Sequence, residues 1–453
     1  MKPAQRKSRR RGLLIGLALG LGAALGLLVW SRSSQPPAAL STQVQPQVMP
    51  PTSTSASPKT RPSSGVNAAE PNLTKPDPVP SSQTPPLSPA SSETTLVPAP
   101  PQGEFTQIIA RMTPEQRVAQ QMFSYVPADL KAARALLNIG LGGVFVNRSQ
   151  GPRLADYRSF LKALSSAASG VLPLVGIDQE GGNVARVRDP EMQFPPNATL
   201  GALQAKVALE KVRFQGQTFG TRLRAAGFSV DFAPVVDVAT NTRGRVIAAL
   251  GRAYSSDPSE VSTLGVAFAL ELQGAGLAPT FKHFPGHGMV AGDSHVEVAR
   301  SPLSRAQLEP HLTPYRALLS NPALHQDHML IMTAHVLYPA LDAQNPASLS
   351  TAITTDLLRG ELGYQGVVIT DALGMKALSG TLYSRVSRAL AAGADLALID
   401  PGLERQLPDV VAGLARDWGR DPQRWAQNAE SLERIFRLKR ALGLLESSPG
   451  GTP

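Results

Sequence analysis

Residues 105–445 of the 453-residue chain read as an α/β fold, and within that class as a (β/α)8 barrel. Three observations predict it. Short apolar runs alternate with longer segments of helical period, the pattern of repeated β-α units around a parallel sheet. The runs number eight. Six of the eight are followed by a charged or imidazole-bearing residue, as expected where a polar pocket is assembled from strand ends at one mouth of a TIM-type barrel.

Two segments of other composition precede the barrel. Residues 1–30 open with Lys2, Arg6, Lys7, Arg9, Arg10 and Arg11 and continue as an unbroken apolar run from Gly12 to Trp30. That run is just long enough to span a bilayer and longer than the usual core of a cleaved signal, and the basic flank would orient it. No Ala-x-Ala site follows Trp30, so an uncleaved signal anchor is favoured over a signal peptide. The expected place is the cell envelope or the exterior, with the membrane as a partner through this segment. Residues 31–104 hold 17 of the 40 prolines and no aromatic residue. They cannot bury enough apolar surface to offset chain entropy and are expected to form a disordered linker.

Candidate strands lie near 120–123, 142–146, 172–177, 229–235, 278–282, 329–333, 366–370 and 395–399. The residues just past them include Asp178, Asp237, Lys282 with His283, His335, Asp371 and Asp400. One catalytic domain is expected, ending in a disordered tail over 446–453. The net charge of +10 does not imply nucleic acid: residues 1–100 carry ten Lys/Arg against three Asp/Glu, which leaves only +3 for the remainder. A nucleic-acid binder would carry its basic patch on the folded domain. With no cysteine in the chain, disulfides and thiolate metal sites are excluded.

Three of the seven histidines fall in KHFPGHGMVAGDSH, residues 282–295. Glycine and proline make this stretch read as a loop, neither helix nor regular strand. Pro285 and Gly286 between His283 and His287 rule out the helical histidine pair of a zincin site, leaving a different metal arrangement, buried structural histidines or acid/base chemistry. In an extended segment residues i and i+2 face the same way, so the Asp293 carboxylate can orient the His295 ring and stabilise its imidazolium, a competent general acid/base. Asp371, ending the apolar strand GVVIT, suits a nucleophile at the mouth. The competing reading is an N-cap for the helix entered through ALGMKAL.

The segments GIDQEGGNVARV, DFAPVVDV, KHFPGHGMVAGDSH, IMTAHVLYP, GVVITDALGMKAL and AAGADLAL, in this order, resemble family 3 glycoside hydrolases, and among them the bacterial β-N-acetylglucosaminidases of peptidoglycan turnover. The resemblance implies that Asp371 is the nucleophile of a retaining exo-enzyme and His295, assisted by Asp293, its acid/base. It also puts Asp178, Arg186, Arg252, Lys282 and His283 on sugar hydroxyls, and leaves His287 and His335 as structural groups. It implies neither metal nor cofactor, a carbohydrate substrate drawn from N-acetylglucosamine-containing cell-wall fragments, and a monomer. Asn183, Ala253 and Ala372 depart from the common pattern. Ala372 removes the adjacent acidic pair on which substrate-assisted hexosaminidases rely. The other readings are a glycoside phosphorylase, a β-glucosidase or β-xylosidase on the same barrel, and a non-catalytic sugar-binding wall protein.

Overall fold

The computed structural model describes residues 103–146, 153–165, 171–292 and 298–445. The apolar run and linker of residues 1–102 and the tail from 446 lie outside them. No helix of the described residues is long and apolar enough to cross a membrane.

Eight parallel strands follow the apolar runs: β1 (Met122–Tyr125), β2 (Gly143–Phe145), β3 (Leu174–Ile177), β4 (Val230–Asp231), β5 (Ala278–Phe284), β6 (Leu330–Thr333), β7 (Val367–Thr370) and β8 (Ala397–Ile399). Each pairs in parallel with its sequence neighbour, and β1 pairs with β8 through Met122–Ala397, Phe123–Leu398 and Ser124–Ile399. A lone bridge between Ile369 and Leu396 joins β7 to β8, so the sheet is rolled into a nearly closed barrel. The fourth strand is shorter than its apolar run. Past Asp231 the chain pairs again only at Val235, which bridges Lys282.

Helices follow every strand: α1 (Leu130–Leu137), α2 (Leu154–Ser165), α3 (Ala205–Ala226), α4 (Pro258–Gly274), α5 (Glu309–Ser320), the π-wound α6 (Ala352–Glu361), α7 (Leu382–Ala391), α8 (Leu407–Trp418), and a final α9 (Pro422–Ala441). Four of the starts are written in the sequence. Asp129, Asp257, Thr381 and Asp421 each accept a backbone N–H of the first turn, satisfying donors that have no partner inside the helix. Helix α3 stops at Gly227, whose φ of 102° is a left-handed conformation that glycine adopts without strain.

The barrel interior is filled by side chains. Phe123, Phe145, Leu174, Val230, Phe232, Ala278, Leu330, Met332, Val367, Ile369, Leu396 and Leu398 form one buried cluster with Phe105 and Ile109 ahead of β1 and with Leu432, Ile435 and Phe436 of α9. Large and small residues interlock: a Cβ on Gly143 would stand 2.3 Å from the Phe123 ring, so the phenylalanine needs a glycine beside it. Outward-facing strand residues such as Val144, Ile331 and Val368 pack with the helices in a second layer.

Polar groups seal the N-terminal end of the barrel. Asp395, just before β8, accepts from Arg359 of α6 (2.7 Å), Arg434 of α9 (2.9 Å) and the Val368 N–H (2.8 Å). Asn428 of α9 donates to Gln121 (2.7 Å), and Lys439 donates to Gln120 (2.7 Å). The AAGAD segment therefore serves the floor, far from the mouth.

Candidate active site

A cavity of about 390 Å³ opens at the C-terminal ends of the strands. Asp178, Glu180, Arg186, Arg252, Lys282, His283 and Asp371 give it polar walls, while Phe145, Phe232, Met332 and Leu398 from the barrel interior give it an apolar base.

Two local devices bring the polar groups there. In the first, β5 does not end at residue 282 as its apolar run suggests. It continues to Phe284 with a bulge, since Lys282 and Phe284 oppose consecutive residues Met332 and Thr333 of β6. A bulge breaks the alternation of a strand, so consecutive Lys282 and His283 both line the cavity. In the second, Gln179–Gly181 and Val184–Ala185 form a small hairpin after β3. The Gln179 side-chain oxygen accepts the N–H groups of Arg186 (2.8 Å) and Val187 (3.0 Å), folding Arg186 back to within 3.7 Å of Asp178.

The charges form one connected set. Lys282 Nζ donates to Asp178 (2.9 Å) and lies 2.7 Å from Glu180. Arg252 grips both oxygens of Glu180, at 2.7 and 2.9 Å, the fork geometry of a guanidinium on a carboxylate. Burial opposes ionisation of Glu180, yet the Arg252 and Lys282 charges outweigh it and hold the carboxyl far below its usual range. Burial likewise opposes the Lys282 charge, but Asp178 and Glu180 raise its pKa above that of an ordinary lysine.

Asp237 sits beneath the histidine loop. Its Oδ1 accepts the N–H of His283 (3.2 Å) and of His287 (2.6 Å), and its Oδ2 accepts His283 Nδ1–H (2.7 Å). Burial works against its charge, but the imidazole and hydrogen bond of His283, followed by those of His287, bring the carboxyl down to about 2. An ionised carboxylate can only accept, so Nδ1 of His283 carries the proton and Nε2 faces the Arg252 guanidinium at 3.4 Å. Burial lowers His287 to about 4. The neutral ring lines the cavity beside His283.

Asp371 ends β7 with its N–H donating to Thr333 O (2.9 Å) and its own Oδ1 accepting the Ala372 N–H (2.8 Å). Burial raises its pKa, but the neighbouring imidazoles of His335 and His283, the Ala372 N–H and the Lys282 charge prevail, leaving the carboxyl below the ordinary range. A half-buried, ionised carboxylate therefore faces the cavity. No helix begins at Asp371, because α7 starts only at Leu382 with Thr381 as its cap, and the N-cap reading is set aside.

Asp178, Arg186, Arg252, Lys282, His283 and Asp371 thus share one cavity. Asp293 and His295 lie outside the described residues. Two strand-end groups are supports: Asp237 is buried under the loop, and His335, expected as a structural group, donates from Nε2 to Ala372 O (2.8 Å) while Nδ1 accepts the Ser348 hydroxyl (2.6 Å). Asp400 does reach the cavity wall and accepts the Gly374 N–H. Burial, with Asp371 nearby, raises its pKa. Sequence reasoning passed over Glu180, although Asp178 and Glu180 stand at the same i, i+2 spacing that drew attention to Asp293 and His295. Among the described residues no group of three or more His, Asp or Glu is arranged around a metal position.

Comparison with known proteins identifies the family. The profile of the glycosyl hydrolase family 3 N terminal domain matches residues 115–423. Beta-hexosaminidase A of Pseudoalteromonas piscicida is 34% identical over 344 residues, 70% of this chain but only 56% of that protein, so this chain spans little more than half of it. A beta-hexosaminidase of Stenotrophomonas maltophilia (strain K279a) is 38% identical over 246 residues, 53% of this chain and 70% of the relative. Among solved structures, a family 3 beta-N-acetylglucosaminidase from Paenibacillus sp. str. FPU-7 superposes with a TM-score of 0.65 at 32% identity, covering 75% of this chain and 66% of that one. Beta-N-acetylhexosaminidase from Beutenbergia cavernae DSM 12333 gives 0.67 at 26% identity, covering 73% and 99%. With its eight-stranded barrel, its mouth of paired charges and the family profile running through both, the chain belongs to glycosyl hydrolase family 3, beside bacterial β-hexosaminidases and β-N-acetylglucosaminidases.

Proposed function

We propose that the protein is a retaining exo-β-N-acetylglucosaminidase that releases N-acetylglucosamine from peptidoglycan fragments. The observation that carries this reading is the ionised Asp371 carboxylate at the wall of a cavity lined with cationic and imidazole donors. Such donors suit the hydroxyls of a pyranose, and an apolar base closes the pocket behind a terminal sugar. The names of the relatives, beta-hexosaminidases and a beta-N-acetylglucosaminidase, fit an amino sugar of this kind.

In this mechanism Asp371 attacks the anomeric carbon while His295 protonates the departing glycosidic oxygen. The carbon–oxygen bond breaks and a glycosyl ester forms. His295 then takes a proton from water, which attacks the same carbon and frees Asp371. Asp293 orients the ring. Asp237, by holding the N–H groups of His283 and His287, anchors the base of the loop that carries this pair. Ala372 leaves no carboxylate adjacent to Asp371 in sequence, so the acidic pair by which substrate-assisted hexosaminidases employ the acetamido group is missing there, which favours the enzyme nucleophile. The apolar segment 12–30 would hold the enzyme at the envelope, where such fragments arise.

The test is hydrolysis of chromogenic β-N-acetylglucosaminide, β-glucoside and β-xyloside, with and without phosphate. Clear preference for the first is expected. Preference for either of the others, or a sugar phosphate as product, overturns the assignment.

A further inference from the structure

Glu180 has no role in the mechanism above, yet no carboxylate of the cavity is more heavily engaged. Its side chain is 1% exposed, and its partners Lys282 and Arg252 are 3% and 11% exposed. Oε1 meets both Lys282 Nζ and Arg252 at 2.7 Å, and Oε2 accepts Arg252 Nε–H at 2.9 Å. Its backbone is fixed as well, since the carbonyl accepts from the Gln215 side chain (3.0 Å). With both oxygens filled by cations, Glu180 is unavailable as a nucleophile or base.

We propose that Glu180 is a positioning residue that holds Lys282 and Arg252 together as a two-cation fork aimed into the cavity, and so sets affinity for the hydroxyls of the terminal sugar. The inference rests on the sugar reading of the site. Two cations buried side by side repel, and Asp178 alone reaches only Lys282 at hydrogen-bond distance. Glu180 supplies the charge that offsets this repulsion, holds the ammonium ionised and fixes the angle between the two. Arg252 is further tied through its carbonyl to the Asn197 side chain (2.9 Å), so the fork is held from the backbone side too. Without Glu180 the ammonium faces burial with one carboxylate partner fewer, and it sheds its proton more readily.

The full-length enzyme and its Glu180→Gln and Glu180→Asp variants test this by steady-state kinetics on an aryl β-N-acetylglucosaminide, reductive methylation of Lys282 and thermal unfolding. Glu180→Gln should raise KM roughly ten- to hundredfold with a much smaller change in kcat, and make Lys282 label faster at pH 8. Glu180→Asp keeps the charge and should leave that labelling close to wild type, with an intermediate KM. Unchanged labelling and KM in Glu180→Gln, with activity lost only in step with folded protein, would reduce Glu180 to a structural ion pair. If wild-type enzyme hydrolysed none of the glycosides, the sugar reading would fall by itself. Reductive methylation of Lys282 against pH, read by peptide mapping, would still judge the fork: faster labelling at pH 8 in Glu180→Gln supports it, and equal labelling refutes it.

Discussion

Replacing Lys439 by Met should make the protein more stable at neutral and acidic pH and flatten its pH dependence. Lys439 of α9 is fully buried, and the partner its ammonium meets at 2.7 Å is Gln120, a neutral amide. Burial pulls its pKa from the ordinary 10.5 down to about 7. Between these values the unfolded chain holds a proton that the folded chain lacks, so stability rises with pH across the window. Below about pH 7 both states are protonated and the penalty is constant. At about 1.4 kcal/mol per pH unit of separation, the lysine costs ~5 kcal/mol at pH 6 and ~1.5 kcal/mol at pH 9.5. Met removes that burden but leaves Gln120 without its donor, a loss of ~1–2 kcal/mol. The variant should therefore exceed wild type by ~3 kcal/mol at pH 6 and match it near pH 9.5. Urea unfolding of both proteins at intervals from pH 6 to 9.5 measures the difference. Parallel stability curves, or a variant less stable at pH 6, would refute the account of a lysine buried without a counter-charge.

Three further outcomes follow from the site and the floor. Asp371→Asn should cut kcat by at least ~1,000-fold with little change in unfolding midpoint, and a mechanism-based fluorinated sugar should label wild type at Asp371; labelling elsewhere removes it from the nucleophile role. His295→Ala should slow hydrolysis of a disaccharide far more than that of a dinitrophenyl glycoside, with azide restoring turnover as glycosyl azide. Equal slowing and no azide product would count against a general acid. Asp395→Asn strips the shared partner from Arg359 and Arg434 and should destabilise the fold by ~3–5 kcal/mol in urea unfolding while leaving KM near wild type.

The strands were legible because each is an apolar run buried on both faces, a signal carried by a few adjacent residues. Helix starts at Asp129, Asp257, Thr381 and Asp421 were equally local. The direction of side chains beyond the strand ends was not. Lys282 and His283 share the cavity because of a bulge, which depends on pairing with β6 and leaves no mark in the sequence. Asp237 and His335 carry the residue types of a site but point into supports whose partners, His287 and Ser348, come from other loops. Glu180 differs again. Its spacing from Asp178 was readable, but its meaning required Arg252 and Lys282, which reach it from two other segments of the chain.

The seam between β1 and β8 bears on how the chain is made. Synthesis proceeds from the N-terminus, so β1 is among the first strands to appear, yet one of its two neighbours and most of its floor arrive last. Gln120 waits for Lys439, 319 residues later, and Phe105 for the ring of Phe436. Contacts so distant in sequence form slowly and only after the intervening chain exists. Until α9 has emerged, Phe123 and its neighbours remain open to solvent or to a chaperone, and the polypeptide stays threadable. The twenty residues of α9 act as the barrel's latch, and losing them should harm folding far more than their distance from the mouth suggests.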